Sequence, residues 1–197
     1  ISTLGNAADF GDLLTSERSY GRGSVSDRTY GIFFPQNNTN TIERITFAST
    51  GNATDFGDTT STTYNYGCFS DGTLGYFIHG ETSSGSAGTA NIDKFTIATA
   101  ANATGYDFNN DRIDGLGLSD GTTGWFIGGK TGSADSTGST TIEYITLASG
   151  SDSSDWGDLL YGFAKVAGAS NLNRFVCCGG RNVNSSAVNM IQYFSTT

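Results

Sequence analysis

The chain has 197 residues, with 10 Lys and Arg against 19 Asp and Glu and a formal charge of −9. That balance excludes attachment to nucleic acid or anionic lipid by charge alone, since both demand a positive surface. Aromatics at 12% argue against a disordered chain, and no apolar run approaches the ~20 residues of a membrane-spanning helix, so membrane insertion is not expected.

Residues 1–14 contain the phrase Asn6-Ala7-Ala8-Asp9-Phe10-Gly11-Asp12. It returns as Asn52-Ala53-Thr54-Asp55-Phe56-Gly57-Asp58, loosely as Gly105-Tyr106-Asp107-Phe108-Asn109-Asn110, and as Ser153-Ser154-Asp155-Trp156-Gly157-Asp158. The aromatics at 10, 56, 108 and 156 are spaced by 46, 52 and 48 residues. A period near 50 suits a blade of four strands in a propeller.

Aligned on those aromatics, each repeat offers four strand slots. The innermost reads Tyr20 to Val25, Asn65 to Phe69, Ile113 to Leu118 and Gly162 to Val166, with Gly or Ala alternating where strands crowd an axis. Turns at Ser26-Asp27-Arg28, Ser70-Asp71-Gly72, Ser119-Asp120-Gly121 and Ser170-Asn171-Leu172 follow. The second slot is a continuous apolar run (Gly31 to Phe34, Gly75 to Ile78, Gly124 to Ile127, Phe175 to Cys178), as in a strand buried on both faces. The third (Ile42 to Phe47, Ile92 to Ile97, Ile142 to Leu147, Ile191 to Ser195) alternates, as in a half-buried strand nearer the rim. The Asp-aromatic-Gly-Asp phrase is the fourth.

Residues 1–14 are a fourth strand without a first three, and the chain ends on a third strand without a fourth. The expected fold is all-β: one domain over 1–197, a four-bladed propeller with four antiparallel strands per blade. Its repeats lie at about 15–58, 59–110, 111–158 and 159–197 plus 1–14, and the N-terminal strand closes the ring. The chain opens at Ile1 without a signal segment and reads as a processed chain or a piece of a longer one.

Strand two ending in Gly128-Gly129 or Gly179-Gly180, then a strand holding Tyr144 or Tyr193, then Trp156, resembles the kelch repeat family. The double Gly becomes His79-Gly80 in the second repeat and Pro35-Gln36 in the first, and the tryptophan position is Phe in three of four. The Asn-Ala-Thr-Asp-Phe-Gly-Asp wording with its Thr, Ser and Gly fillers also resembles kelch-like virion or tail-associated proteins of marine bacteriophages. That resemblance implies a binding or structural protein on a virion or extracellular surface, active in attachment or assembly within a larger particle, with a protein or glycan as partner.

The residues themselves offer little for catalysis. His79 is the single histidine, so a His-rich zinc set cannot form, and at a strand end it reads as a bland polar residue. Nothing selects an acid pair for glycan cleavage, which leaves a glycan-cleaving enzyme behind a lectin-like carbohydrate binder as an alternative. No cofactor is expected. Asp9 with Asp12, Asp55 with Asp58 and Asp155 with Asp158 could supply oxygen ligands to Ca²⁺, but Asp in a turn needs no ion, and no metal is expected. Cys177 stands in the column of Phe33, Phe77 and Phe126 and reads as a buried hydrophobe; Cys68, Cys177 and Cys178 are expected to be free thiols.

The loops joining strands two and three (36–41, 81–90, 130–140 and 181–188) differ while their framework repeats. Recognition is expected on that face, around Asn37, Glu81, Lys130 and Arg181 at matching positions, with Arg18 and Arg112 from the loops between blades.

Overall fold

A computed structural model describes residues 5–14, 23–34, 39–63, 67–82, 88–89, 91–131, 138–182, 184 and 186–196. These contain strands and no helix, and hence no helix able to cross a membrane. Four antiparallel sheets follow one another as the blades of a four-bladed propeller. Blade 1 holds β1 (Ser24–Ser26), β2 (Tyr30–Phe33), β3 (Thr41–Thr46) and β4 (Thr54–Asp58). Blade 2 holds β5 (Gly67–Ser70), β6 (Leu74–Ile78), β7 (Asn91–Thr96) and β8 (Thr104–Asp107). Blade 3 holds β9 (Leu116–Ser119), β10 (Thr123–Ile127), β11 (Ser139–Thr146) and the long β12 (Ser154–Phe163). Blade 4 has three described strands, β13 (Ala167–Ser170), β14 (Arg174–Cys178) and β15 (Ile191–Ser195).

The turn chemistry is the one the sequence implies. Oδ1 of Asp27, Asp71, Asp120 and Asn171 each accepts the backbone N–H groups two and three residues ahead, which folds β1 onto β2 and its three counterparts. The second strands of blades 2 and 3 are buried on both faces as expected, because neighbouring blades cover them, whereas burial alternates along β14 of blade 4. Gly75 and Gly124 lie flat beneath the rings of Phe95 and Phe69, where a Cβ would enter the ring. In blade 4 that column carries Phe175, stacked on Phe194 at 5.0 Å between centroids.

Two alignments made on sequence shift. The aromatic of the third phrase is Tyr106, not Phe108: Thr104 pairs with Lys94 as Thr54 pairs with Arg44, and Lys94 Nζ lies 4.9 Å from the Tyr106 ring as Arg44 lies 5.6 Å from Phe56. Blades 1 and 3 bulge at Phe56 and Trp156, whereas β8 pairs without a bulge, and this missing residue displaced the reading. The innermost strand of blade 4 is Ala167–Ser170; Gly162 and Phe163 instead end β12.

Three apolar seams join successive blades. Ile32, Phe34 and Phe56 of blade 1 meet Phe77, Phe95 and Ile97 of blade 2. Tyr76 and Ile78 of blade 2 meet Phe126, Ile145 and Leu147 of blade 3, and Trp125 and Ile142 of blade 3 meet Phe175 and Cys177 of blade 4. The columns that would make a fourth seam are open. Phe47 of blade 1 is 48% exposed where Ile97 and Leu147 are 0% and 2%, and Ile191 of blade 4 is 70% exposed where Ile42 is 0%.

Residues 5–14 stand against blade 1 as a preceding fourth strand would. Asp12 donates its N–H to Asn52 Oδ1 at 3.0 Å and accepts from Ala53 N–H at 2.8 Å. Asp58 does the same with Asn102 and Ala103 of blade 2, at 3.1 and 2.9 Å. Among the described residues, β15 pairs with β14 alone, and no ladder joins it to residues 5–14.

Candidate functional site

In blades 3 and 4 the start of the loop between strands two and three meets the residues just before the inner strand. Glu81 bridges Gly88, Lys130 bridges Gly138 and Ile113, and Arg181 bridges Ala187 and Ala164. Glu81, Lys130 and Arg181 therefore occupy one position in three blades, as their spacing implied. Their side chains do not form the expected exposed ring, however. Glu81 and Lys130 are each 5% exposed, and only Arg181 reaches the surface. The bridges tie Glu81 to the far end of its own loop and Lys130 both to its loop and to Ile113 before the inner strand. Asn37 and Arg18 lie outside the described residues, as do 83–87 and 132–137 of the loops.

Arg112 is corrected outright, from a surface contact to a buried anchor. Its guanidinium bonds Glu143 Oε2 at 2.6 Å and the carbonyls of Gly128, Thr141 and Phe126. Burial pulls its pKa down while the Glu143 carboxylate opposes that shift.

Glu143 belongs to a column that sequence reasoning passed over. Glu43, Asp93, Glu143 and Gln192 stand at the second position of the third slot, and all are buried. Each binds a segment of chain that comes before the inner strand of its own sheet. Leu14 N–H donates to Glu43 at 2.9 Å, Thr60 N–H to Asp93 at 2.7 Å, the Asn110 amide to Glu143 at 3.0 Å and Tyr161 N–H to Gln192 at 3.1 Å. The signal was four polar residues in one register beside Ile. In a half-buried strand period-2 alternation ordinarily sends such residues to solvent, and here it does not.

His79 is part of the same device. Its Nε2 lies 3.0 Å from Asp93 Oδ2, and its Nδ1 lies 3.2 Å from both Ser61 Oγ and Thr63 Oγ1. The bland strand end expected for His79 is thus a fully buried side chain in contact with a buried carboxylate. A serine, a histidine and an aspartate are in sequence of contact, but Thr63 shares the same nitrogen and Thr60 engages both carboxylate oxygens. The arrangement parallels that of Arg112 with Glu143 one blade later, a side-chain nitrogen set against a buried acid. Burial alone would raise the Asp93 pKa; hydrogen bonds from His79 and Thr60 outweigh it and hold the carboxyl below its usual value.

The recurring aspartates act as local caps. Asp9, Asp55 and Asp155 each accept the N–H of the glycine two residues on, at 3.1, 3.0 and 3.1 Å. Asp12 and Asp58 bond onward to blades 1 and 2, and Asp158 accepts from Thr140 at 2.8 Å. Among the described residues, no three His, Cys, Asp or Glu side chains converge as a metal site would require. The three cysteines are free, with Cys177 buried in a seam. Cys68 lies along the axis with its thiol 3.5 Å from the Ser24 carbonyl, and burial pushes its pKa up to about 12.

Along the axis lies a cavity of about 480 Å³ to which all four blades contribute, with Ser24, Cys68, Leu116 and Gly168 in its wall. Asp114 and Lys165 also line it, at the end where the inner strands begin. Asp114 Oδ2 stands 3.6 Å from Lys130 Nζ and 3.8 Å from Lys165 Nζ. This axial mouth, rather than a ring of exposed charges, is the concave polar feature of the variable face. The sequence matches no protein-family model and no curated protein.

Proposed function

We propose that the chain is a non-enzymatic binding and assembly module of a virion or cell surface, kelch-like in its repeats, that engages a protein or glycan through its variable face. The carrying observation is the contrast between its two faces. One repeats a single Asx-capped turn at Asp27, Asp71, Asp120 and Asn171. The other carries loops of different wording, two of which meet the start of an inner strand at Lys130 and Arg181. A repeated framework carrying unlike loops is the usual layout of a recognition surface. The kelch-like reading draws support from Gly128-Gly129 and Gly179-Gly180, all four at positive φ, where a side chain would be strained. Closure by the N-terminal strand draws support from the bonds that seat residues 10–14 on blade 1.

A lectin-like activity is the second reading, favoured by the polar axial cavity. Glycan cleavage finds less support, because among the described residues Asp114 is the one acid lining that cavity and the mechanism takes two.

The test replaces residues 83–87 and 132–137 with Gly-Ser segments of equal length, keeping the buried Glu81 and Lys130. Loop changes of this kind cost little stability, so the melting temperature should hold while binding to target cells or to an immobilised glycan array disappears. Binding that survives both replacements, yet is lost on altering the Asp71 and Asp120 turns, would assign recognition to the opposite face.

A further inference from the structure

We propose that the open seam is filled by a second copy of this chain. Two copies pair head to tail, blade 4 of each against blade 1 of the other, and the N-terminal segment of each completes the other's blade 4. This rests on the closure by an N-terminal strand proposed above and adds where that strand comes from.

The faces decide the occupant. In the first seam Ile32, Phe34 and Ile42 of one blade meet Phe77, Phe95 and Ile97 of the next, and all six are buried. Blade 4 presents a face of the first kind in Val176, Cys178 and Ile191, and blade 1 presents one of the second kind in Phe33, Ile45 and Phe47. None of these six is buried. Each open face asks for a blade of the other kind, and every copy of this chain carries one of each. Contacts between unlike faces of identical chains close into a ring where the rotation allows. Two arcs of four blades make eight, within the usual range of about four to eight. A hydrophobic core cut in half is also the character of an obligate interface between copies.

The strand edge agrees with the faces. Among the described residues β15 has one ladder partner, β14, and the outer edge of blade 4 is the place for a fourth strand. Residues 10–14 already stand toward blade 1 as such a strand does, since Asp12 bonds Asn52 and Ala53 as Asp58 bonds Asn102 and Ala103. Asp58 belongs to β4, which also pairs with β3 of its own blade. In that register, where Thr54 faces Arg44, Ala8 comes opposite Tyr193. Within one chain the two open faces stay apart: inner strands touch at β1–β5, β5–β9 and β9–β13, and β13 makes no comparable contact with β1. For blade 4 to take up its own N-terminal segment, the formed seams would have to turn further, or residues 10–14 leave their bonds on blade 1. A second copy requires neither.

The experiment is sedimentation equilibrium at about 1–100 µM, on the purified chain and on Ile191→Asp and Phe47→Asp. Both positions are exposed, so the melting temperature should hold in each variant. The wild-type chain should show twice the 20.6 kDa of one copy. Each variant should fall to the mass of one copy, a loss of association of about tenfold or more. Mixed together, the two variants offer one seam free of either aspartate, and pairs should reappear. A second measurement fixes the strand: Ala8→Cys and Tyr193→Cys chains, oxidised together, should give a disulfide between two chains that neither gives alone. The wild-type chain controls for Cys68, Cys177 and Cys178. The mass of one copy at every concentration would overturn the proposal, as would a mass indifferent to both aspartates. In a chain carrying both cysteine substitutions, a disulfide closed within one chain overturns pairing and leaves closure standing, whereas no disulfide in either experiment overturns both. Should one aspartate variant not fold, the other and the cysteine pair decide the matter. None of these changes touches residues 83–87 or 132–137, so recognition by the loops is tested apart.

Discussion

Arg112→Met tests whether the buried polar column holds the blades together. The substitution keeps much of the aliphatic stem but removes the 2.6 Å bond to Glu143 and those to the Gly128, Thr141 and Phe126 carbonyls. Glu143, 1% exposed, would then be left with two neutral donors, Asn110 and Ser153. Breaking a buried pair from one side costs about 3–5 kcal/mol, because the remaining charge stays in a poor solvent. That is a large share of the roughly 5–15 kcal/mol by which a domain is stable. With a urea slope of about 2 kcal/mol/M, the unfolding midpoint should fall by about 2 M. The double variant Arg112→Met with Glu143→Gln should recover part of the loss, since Gln carries no charge to strand. Blade 4 shows that the column works in neutral form: Gln192 holds Tyr161 by two bonds, at 3.1 and 3.0 Å. A loss below about 1 kcal/mol for the single variant would refute the argument, as would a double variant no more stable than the single.

Further outcomes follow from the same geometry. Asp93 has its folded-state pKa depressed, so its contribution is present above the unfolded value near 3.9 and is lost as pH falls through the folded one. Melting temperature should therefore drop more steeply below about pH 4 in the wild-type chain than in Asp93→Asn, and parallel acid profiles would contradict this. Gly57 and Gly157 share φ near 145° (146° and 144°), but a Cβ on Gly57 would enter the Ala101 carbonyl whereas one on Gly157 meets nothing within 4 Å. Gly57→Ala should cost about 1–3 kcal/mol more than Gly157→Ala in chemical denaturation; equal losses would show that backbone strain alone matters. Removing residues 1–14 strips Glu43 of the Leu14 N–H and, with ring closure, uncovers blade 4. It should lower the melting temperature and raise hydrogen exchange at both blades 1 and 4, and protection unchanged at blade 4 would count against closure.

Most of the framework was legible because the chain writes it four times. The turn aspartates, the apolar second strands and the Ile-led third strands fell into register by repetition, and one cause, a local cap or a packed face, serves every copy. Errors arose where one copy departs from the rest. β8 lacks the bulge that Phe56 and Trp156 occupy, so aligning on Asp107 moved the aromatic slot by two residues to Phe108. The candidate site was legible as a face but not as side chains. Charge at a loop position reads as exposure, yet Glu81 and Lys130 sit in local bridges and Arg112 is held inside by Glu143, 31 residues on.

The faces of blades 1 and 4 left open are complementary in kind. Phe33, Ile45 and Phe47 of blade 1 occupy the columns that Phe77, Phe95 and Ile97 fill in the first seam. Val176, Cys178 and Ile191 of blade 4 occupy those of Tyr76, Ile78 and Ile92 in the second. A face of each kind therefore stands without a neighbouring blade, and the two are of the kinds that meet in every formed seam. Residues 10–14 already hold, on blade 1, the bonds that a fourth strand of blade 4 would make there. Tyr193 is 64% exposed on β15, in the register where Tyr144 meets the edge of Trp156 at 5.5 Å. Phe10 is the aromatic of the one phrase that has no blade of its own. Closing the ring would set Phe10 against Tyr193 and bury both apolar faces in a single movement, without a new kind of contact.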